Sequence, residues 1–269
     1  MAPLRVQSAA GGWIIDESGR RYFDGSSGSV CVNVGHANAH VVEALTRQAE
    51  TVAFAHPGAW APELLAALGE RLLAAVGWPQ GAVMFSTTGS AAMELAIKLA
   101  REVQVARSQA DRTLVLTART GFHGCTALTM ALSGHRRRRP RAAESLGLEP
   151  SFDAPYPGHH RRCGDRPCTA ECADEVADEI DRSGPEVVAA VVIEPVNGAS
   201  GGGHVPPPGY LARLRASCEE RGVLVVHDEV MVGLGRTGRT MAADHFPDAA
   251  PDITVVSKGL GAGYLPISA

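Results

Sequence analysis

The stretch Val223-Leu224-Val225-Val226-His227-Asp228-Glu229 decides the fold class of this chain. A run of β-branched and other apolar residues without polar alternation is typical of a strand that is buried on both faces of a parallel sheet. Residues 187–193 have the same character, and segments with helical periodicity precede both runs, at 172–182 and 208–221. Strands that alternate with helices predict an α/β domain with a mostly parallel sheet.

Other segments extend this pattern along the chain. Periodicity predicts further strands at 83–85, 113–116 and 253–256, and further helices at 40–50, 62–76 and 91–105. Near the start, two short strands at 13–16 and 22–24 flank a turn. The segment from Gly134 to Arg166 is polar and irregular, and it is too long for an ordinary connection. We expect it to run over the surface.

Composition narrows the class of protein. The chain has 269 residues, 45% of them hydrophobic, and a formal net charge of -4. That weakly acidic balance argues against nucleic-acid or membrane-surface binding. The longest apolar run, 187–193, is too short to cross a bilayer, and the first residues show no signal-peptide pattern. A cytoplasmic protein is therefore expected.

Lysine is scarce in this sequence, which contains only Lys98 and Lys258. Lys258 follows the predicted strand 253–256, and glycines follow it at 259 and 261. Open α/β sheets bind ligands at the carboxyl ends of their strands. Burial there would lower the pKa of an amine and favour the neutral nucleophile that a Schiff base requires. The alternative is an exposed lysine in a flexible loop.

Asp228 ends the strand that decides the fold. A carboxylate after four apolar strand residues is costly unless it is paired. It could hold the protonated nitrogen of a pyridine-type cofactor, or it could accept ordinary strand-end hydrogen bonds. With Glu229 it could also bind Mg²⁺, but the phosphate-binding Gly-x-x-x-x-Gly-Lys-Ser/Thr motif that accompanies such a site is absent from the sequence.

Three more motifs lie at predicted strand ends. Thr88-Gly89-Ser90 precedes a helix, where free N–H groups could bind phosphate or where the residues could serve as a plain helix cap. Phe122-His123-Gly124 offers an aromatic ring that could stack on a cofactor or be an ordinary strand-end aromatic. Glu194-Pro195-Val196 supplies a carboxylate that could contact a cofactor or substrate, or cap a loop.

Two other motifs suggest binding functions that we do not favour. Residues 233–238 match the dinucleotide-binding pattern Gly-x-Gly-x-x-Gly. However, the preceding Asp228 and Glu229 would repel a pyrophosphate, and no clear helix follows Gly238. The basic run 135–141 could hold phosphate or nucleic acid, but a solvated basic loop is the favoured interpretation.

A histidine and cysteine cluster raises the question of a metal site. Its members share one segment of the predicted excursion: His159, His160, Cys163, Cys168 and Cys172. The spacing Cys-x4-Cys-x3-Cys is not the paired Cys-x2-Cys arrangement that is usual for structural zinc. Reduced thiols are therefore the favoured interpretation, and no metal is expected.

Taken together, these stretches resemble the class III (ornithine- and ω-amino-acid-type) pyridoxal-phosphate aminotransferases. The resemblance runs from Gly12 to Ala269 in family order. It rests on Asp228 and Lys258 above all, and then on further matching stretches: 13–24, Gly35-His36, 85–101, Phe122-His123-Gly124, Glu194-Pro195-Val196, 201–210, Gly235-Arg236-Thr237-Gly238 and Ser257-Lys258-Gly259.

The resemblance implies roles for particular residues. Lys258 matches the Schiff-base lysine, which also moves the proton between substrate carbon and cofactor, and Asp228 matches the partner of the pyridine nitrogen. The other matching residues would hold the remaining parts of pyridoxal 5'-phosphate: Val230 and Phe122 on the two ring faces, His123 beside them, Thr88, Gly89 and Ser90 at the phosphate, and Glu194 near the cofactor hydroxyl. Ala91 departs from the family, which usually has a glutamate there.

The resemblance also implies a fold and an assembly. Residues 46–269 would form a fold-type I large domain, incomplete at its C-terminus, and residues 1–45 would contribute to a small domain. The C-terminal small domain is absent, so the chain looks cut. We expect a homodimer, or a hetero-oligomer with a chain that supplies the missing half.

The implied reaction moves an amino group from an amine or ω-amino acid to a 2-oxo acid or aldehyde. An aminomutase, racemase or decarboxylase of the same fold, or a non-catalytic half-protein, is the alternative. The residues do not identify the substrate, because its contacts would lie largely in the missing part.

Overall fold

The computed structural model describes residues 3–56, 58–135, 138–139, 149–156 and 160–269. The chain packs into two compact units. The first consists of Met1–Val83 with Lys258–Pro266, and the second of Met84–Ser257 with Ile267–Ala269. The domain boundary expected between residues 45 and 46 stays a prediction.

The first unit contains a small antiparallel sheet of strands β1 (Val6–Ala10), β2 (Trp13–Asp16) and β3 (Arg21–Phe23), in that order. The Asp16 carboxylate closes the turn between β2 and β3 by accepting hydrogen bonds from the N–H and hydroxyl groups of Ser18, at 2.9 and 2.6 Å. The two predicted strands and their turn are confirmed. Strand β1 was not predicted, because Val-Gln-Ser-Ala-Ala is poor in the β-branched and aromatic residues that mark strands.

The described residues of the first unit also form the helices α1 (Ser27–Val30), α2 (Ala39–Thr51) and α3 (Glu63–Val76). Helix α2 begins at Asn38, whose side chain accepts a hydrogen bond from the Val41 N–H. Helix α3 ends at Gly77, which has a φ of 72° and provides the left-handed terminus that glycine favours. The helices that the periodicity of the sequence predicted at 40–50 and 62–76 are therefore confirmed.

The second unit is built on a parallel sheet. Its strands are β4 (Leu114–Thr117), β5 (Val188–Ile193), β6 (Leu224–Asp228) and β7 (Ile253–Val255), and their order in the sheet is β4-β5-β6-β7. All three pairings are parallel. The predicted α/β class is therefore confirmed.

Helices cover both faces of this sheet. They are α4 (Gly89–Ala106), α5 (Ala127–Ala131), α6 (Asp174–Ser183) and α7 (Tyr210–Glu220). On one face, Val191 packs in a cluster with Ile180 of α6 and Leu214 of α7. On the other face, Val192 packs in a cluster with Met93 of α4. Adjacent strand residues thus enter opposite cores, which explains why these strands lack polar alternation.

A buried glutamine joins helix α4 to the sheet. Gln104 is only 1% exposed. Its side-chain amide donates to the carbonyl oxygens of Ala189 in β5 and Gly222 before β6, both at 3.0 Å. Because a buried amide without partners is costly, these bonds fix the rotation and the height of α4 against the strands.

Two sequence predictions about this unit are wrong. Residues 83–85 do not form a strand, and this stretch is followed by a single antiparallel bridge between Ser86 and Ser268. Met84 is 50% exposed, so the stretch lacks the burial that its apolar character suggested. The excursion after Gly134 is not confined to the surface, because Phe152 and Tyr156 are buried in the core cluster around Val191. Their large apolar side chains gain more from burial than the polar segment around them loses.

Other parts of the excursion lie outside the described residues, including His159, Pro157 and the arginines at 136, 137 and 141. Of the basic run, His135, Arg138 and Arg139 are described. Arg138 places its guanidinium 4.8 Å from the centre of the Phe122 ring. Among the helices of the described ranges, none combines the length and the apolar character that crossing a bilayer requires.

Candidate active site

The carboxyl ends of the parallel strands bring together polar side chains that lie far apart in the sequence. Asp228 is the last residue of β6, Glu194 directly follows β5, and His123 lies in the loop after β4. Because parallel strands end at the same edge of the sheet, these three residues meet there. This edge is the candidate site of the second unit.

The most direct contact at this edge joins His123 and Asp228. The Nδ1 atom of His123 lies 2.8 Å from Oδ2 of Asp228. The other carboxylate oxygen of Asp228, Oδ1, accepts a hydrogen bond of 3.1 Å from the Val230 N–H. Both side chains are buried. A carboxylate can accept about four hydrogen bonds, so Asp228 keeps acceptor capacity for a ligand.

The electrostatics of His123 favour its charged form. Burial alone would lower the pKa of His123, but the hydrogen bond to Asp228 and the charges of Asp228 and Glu194 outweigh burial and raise that pKa above its ordinary value. The Nε2 atom of His123 is buried and has no hydrogen-bond partner among the described residues. An orphaned ring nitrogen beside a paired carboxylate indicates a site prepared for a polar ligand.

Glu194 is held by the loops around it. Its carboxylate accepts hydrogen bonds from the Phe122 N–H at 3.2 Å and from the Gly198 N–H at 3.1 Å. Burial, followed by repulsion from the Asp228 charge, raises the pKa of Glu194 to about 7. Near neutral pH this group therefore changes its charge, which suits a carboxyl that contacts a cofactor or a substrate.

Asn197 belongs to this site although the sequence analysis did not single it out. Its side-chain amide donates to Glu194 at 3.0 Å and to the Thr120 carbonyl oxygen at 3.3 Å. It thereby joins the loop after β5 to the loop after β4. The signal that could have found it is the turn-prone dipeptide Asn197-Gly198, directly after the Glu-Pro-Val motif.

The N-terminus of helix α4 forms a second part of the candidate site. Thr88 caps the helix, and its hydroxyl accepts a hydrogen bond of 3.1 Å from the Ala91 N–H. Helix geometry leaves the N–H groups of Gly89 and Ser90 without an acceptor inside the helix. With the positive end of the helix dipole, they could hold a phosphate group.

Gly124 packs tightly against this helix end. A Cβ atom at Gly124 would lie 2.5 Å from the hydroxyls of both Ser90 and Thr129, so no larger residue fits. The φ of Gly124 is 140°, which also favours glycine. The neighbouring Cys125 donates its N–H to the Ser90 hydroxyl at 3.0 Å. The predicted motifs at 88–90 and 122–124 are thus joined in space.

Val230 and Phe122 are the two residues that the sequence analysis expects on the faces of a cofactor ring. Val230 contacts the helix end, since a Cβ atom at Gly89 would lie 3.1 Å from its Cγ1 atom. The ring of Phe122 is partly buried and stands edge-on to His135, at 5.8 Å between ring centres. Their roles toward a cofactor stay predictions.

Lys258 directly follows Ser257 in the chain and opens a short 3-10 helix, Lys258–Leu260. Its packing places it in the first unit. Lys258 has a φ of 36°, in the left-handed region that residues other than glycine seldom occupy. Such strain costs roughly 1–3 kcal/mol and is concentrated at functional sites.

Two alternatives from the sequence lose support in the structure. Glu229 turns away from Asp228 to accept hydrogen bonds from the N–H groups of Ala242 and Ala243, at 2.6 and 2.9 Å, so its carboxylate serves the fold. The glycine-rich stretch 233–238 consists of turns. The next helical element is a 3-10 helix at Ala242–His245, which is too short and too late to present its N-terminus to a pyrophosphate.

Comparison with known proteins shows which family this chain belongs to. The family model described as aminotransferase class-III matches residues 1–269. The chain belongs to the class-III aminotransferases. The predicted resemblance is thereby confirmed, and the predicted fold-type I architecture agrees with the solved structures that the chain resembles.

Relatives of the class-III chain include curated proteins and solved structures. An uncharacterised aminotransferase of Bacillus subtilis, YodT, is 40% identical over 98% of this chain and 59% of its own length. The acetylornithine aminotransferase of Agrobacterium fabrum is 33% identical over 98% of this chain and 60% of its own length. An amine transaminase from an uncultivated Pseudomonas species, solved in its PLP-bound form, is 32% identical with a TM-score of 0.92, over 99% of this chain and 61% of that one.

These shares show that the chain spans about three fifths of the length of the relatives it matches. The match to the family therefore extends over the whole of this chain, but this chain corresponds to only part of each of these relatives.

Proposed function

We propose that this chain carries the cofactor-binding part of a pyridoxal-phosphate-dependent aminotransferase, with Lys258 as the covalent anchor. The observation that carries the proposal is the buried pair of His123 and Asp228 at 2.8 Å. The pair stands at the carboxyl edge of the sheet, beside a glycine-lined helix N-terminus. Family membership supports the same cofactor.

The residues of the second unit fit such a cofactor on two counts. The absence of a side chain at Gly124 lets the loop after β4 pack against the end of helix α4, whose free N–H groups would hold a phosphate group. Asp228 would accept a hydrogen bond from a protonated ring nitrogen, and His123 would hold the carboxylate in the orientation that this bond requires. When bound, pyridoxal phosphate supplies an electron sink that draws electrons from the carbon bearing the amino group.

The chain's own residues would supply the positioning and the proton transfer. The Nζ atom of Lys258 would take a proton from the substrate carbon and return it to another atom. Glu194, with a pKa of about 7, would hold or release a proton near the cofactor hydroxyl. Val230 and Phe122 would exclude water from the ring faces.

We propose that the donor is an amine or ω-amino acid and that the acceptor is a 2-oxo acid or aldehyde. Turnover would also require the further length that the relatives possess, in the same polypeptide or in a partner chain, within a homodimer or a hetero-oligomer. A cytoplasmic location stays a prediction.

The cofactor proposal is tested by trapping. The protein is incubated with pyridoxal phosphate, reduced with borohydride, digested and analysed by mass spectrometry. We expect the label on Lys258, and we expect Lys258→Ala to lose both the label and the visible absorption of the bound cofactor. Lys98→Ala is the matched control, because Lys98 is the other lysine and lies exposed on α4. Label on Lys98, or the same visible band in Lys258→Ala, would overturn the assignment.

The reaction proposal needs a separate measurement. The chain, together with the further length that its relatives possess, is incubated with a panel of amines and a 2-oxo acid, and both products are quantified. Transfer predicts one new amino acid for each amine consumed. Loss of carbon dioxide or inversion of a stereocentre without transfer would contradict it.

A further inference from the structure

A second cluster of reactive side chains lies in the excursion, within the second unit. The ligand atoms of His160, Cys163 and Cys172 all lie within 4.8 Å of one another. The Sγ atoms of Cys163 and Cys172 are 3.2 Å apart. The thiol of Cys168 interacts with both of these thiols, so a third sulfur lies beside them. One imidazole and two sulfurs therefore converge, with a third sulfur next to them.

The backbone presents these residues on a tight turn. The N–H groups of Cys163 and Gly164 both donate to the carbonyl oxygen of His160, at 3.1 Å each. Gly164 has a φ of 57°, and nothing lies within 4 Å of a Cβ atom built there. Cys172 comes from the short 3-10 helix Ala170–Ala173 that leads into α6. His160 and Cys163 thus come from this turn and Cys172 from the short helix, while Cys168 lies in the stretch between them.

The surroundings of His160 resemble those of a metal-binding histidine. The ring is only 1% exposed. Its Nε2 atom lies 3.1 Å from Oε2 of Glu175 and 3.4 Å from the Cys172 carbonyl oxygen. Because both neighbours are acceptors, Nε2 carries the proton and Nδ1 carries the lone pair. A carboxylate that orients a histidine in this way is the usual outer partner of a zinc ligand.

The Nδ1 atom of His160 is otherwise unexplained. It is buried and has no hydrogen-bond partner among the described residues. Buried polar atoms without partners are rare in folded proteins. The imidazole of His160 and the three neighbouring thiols together match the donor set of a four-coordinate structural zinc site, three cysteines and one histidine.

We propose that His160, Cys163, Cys168 and Cys172 bind a structural Zn²⁺ ion. Three thiols would release their protons to solvent as the zinc–sulfur bonds form. Zinc–sulfur bonds of about 2.3 Å imply sulfur separations of about 3.8 Å in a tetrahedron, so the Sγ atoms of Cys163 and Cys172, now 3.2 Å apart, would move apart slightly as zinc binds. The spacing Cys-x4-Cys-x3-Cys had argued against zinc, but spacing does not reveal that His160 packs against these cysteines or that Glu175 lies beside His160.

The role of this ion would be to stabilise the excursion. Glu175 also accepts hydrogen bonds from Arg119, at 3.2 Å, and from the Asp153 N–H, at 3.1 Å. Asp153 stands beside the buried Phe152. Metal binding would therefore fix the segment that carries Phe152 and Tyr156 into the core.

The test measures metal directly. The full chain is purified without chelator, and its zinc is quantified by mass spectrometry. We expect about one zinc per chain. Cys172→Ser and His160→Ala should lose most of it, and Glu175→Gln should weaken zinc affinity by about 10- to 100-fold. Cys218→Ser is the matched control, because Cys218 is buried outside the cluster and should keep its zinc.

A second measurement covers the case in which a variant fails to fold. The wild-type chain is loaded with Co²⁺, whose absorption distinguishes tetrahedral thiolate ligands from octahedral oxygen ligands. Bands of the tetrahedral thiolate type are expected. Their absence, zinc-free protein after loading with Zn²⁺, or a disulfide among these cysteines in the freshly purified protein would each overturn the proposal.

Discussion

The imidazole of His123 and the carboxylate of Asp228 are joined by a 2.8 Å contact between residues 105 positions apart in the sequence. This contact links the loop after β4 to the end of β6, across the intervening strand β5. The hydrogen bond and the charge of Asp228 favour the charged form of His123 against the effect of burial and raise its pKa.

Asp228→Asn is expected to lower the pKa of His123. The aspartate raises that pKa through its hydrogen bond and its charge, against the opposing effect of burial. Because the folded-state pKa is raised, the stability that this pair contributes is present below the ordinary histidine pKa and is lost as pH rises through the raised value. Imidazole NMR across a pH series measures the shift. An unchanged His123 pKa in the variant would show that the pair is not coupled, and the exposed Asp178→Asn is the control.

Gly124→Ala is expected to damage the helix end at which we propose the phosphate binds. The added methyl would lie 2.5 Å from the Ser90 and Thr129 hydroxyls, so the segment must move or lose its hydrogen bonds. Overpacking of this kind costs roughly 1–3 kcal/mol. Urea unfolding and pyridoxal phosphate titration measure the two effects. Gly202→Ala is the control, because Gly202 also has a positive φ but has open space around its Cα atom. Equal losses in both variants would refute the steric argument.

Glu229 is expected to make the folded state less stable as pH rises. Burial raises the pKa of Glu229 from 4.5 to about 7. Between these values the unfolded chain gives up its proton before the folded chain does, so folding loses up to about 3 kcal/mol as pH increases through this window. Urea unfolding at pH 4.5 and at pH 7.5 measures the loss. Glu229→Gln should reduce the loss, and the exposed Glu219→Gln should not. Part of the loss should remain in Glu229→Gln, because burial also raises the pKa of Glu194 to about 7. An unchanged loss in Glu229→Gln would contradict the prediction.

Gln104→Leu is expected to lower the free energy of unfolding by roughly 1–3 kcal/mol, because it removes two hydrogen bonds while it keeps most of the buried volume. Denaturant unfolding measures the change. Gln109→Leu alters an exposed glutamine just beyond α4 and should have little effect. If both variants were equally stable, the amide of Gln104 would contribute nothing to the position of the helix.

The strands that are buried on both faces of the sheet could be predicted from the sequence. Strands β5 and β6 lie between two apolar clusters, and their sequences show it directly. Residues 83–85 have a similar apolar sequence but form no strand. Strand formation depends on a hydrogen-bonding neighbour, and three residues of sequence carry no information about that neighbour.

The sequence predicted which residues of the candidate site lie at strand ends. It did not predict which of these residues contact one another. The sequence marks Asp228, Glu194 and His123 because each interrupts or follows an apolar run. It does not predict that Asp228 pairs with His123 while Glu229 serves the backbone of Ala242 and Ala243. Those choices depend on loop conformations that tertiary packing decides.

The cysteine cluster also could not be predicted from the sequence, because its members are brought together by packing. A spacing motif identifies ligands that lie close together in the sequence. His160 and Cys172 are instead brought together by tertiary packing. Glu175 supports the histidine from one turn further along the chain. A pattern search based on cysteine pairs overlooks such a centre.

The amide of Gln104 has a consequence for how this chain can tolerate insertions and deletions. Gly89 lies 15 residues before it, about 22 Å along the helix axis at roughly 1.5 Å per residue. One extra residue between them would turn the helix end by about 100° relative to the anchored end and carry the free N–H groups away from Gly124. Side chains on the outer surface of α4 can change freely, but the number of residues between positions 89 and 104 cannot.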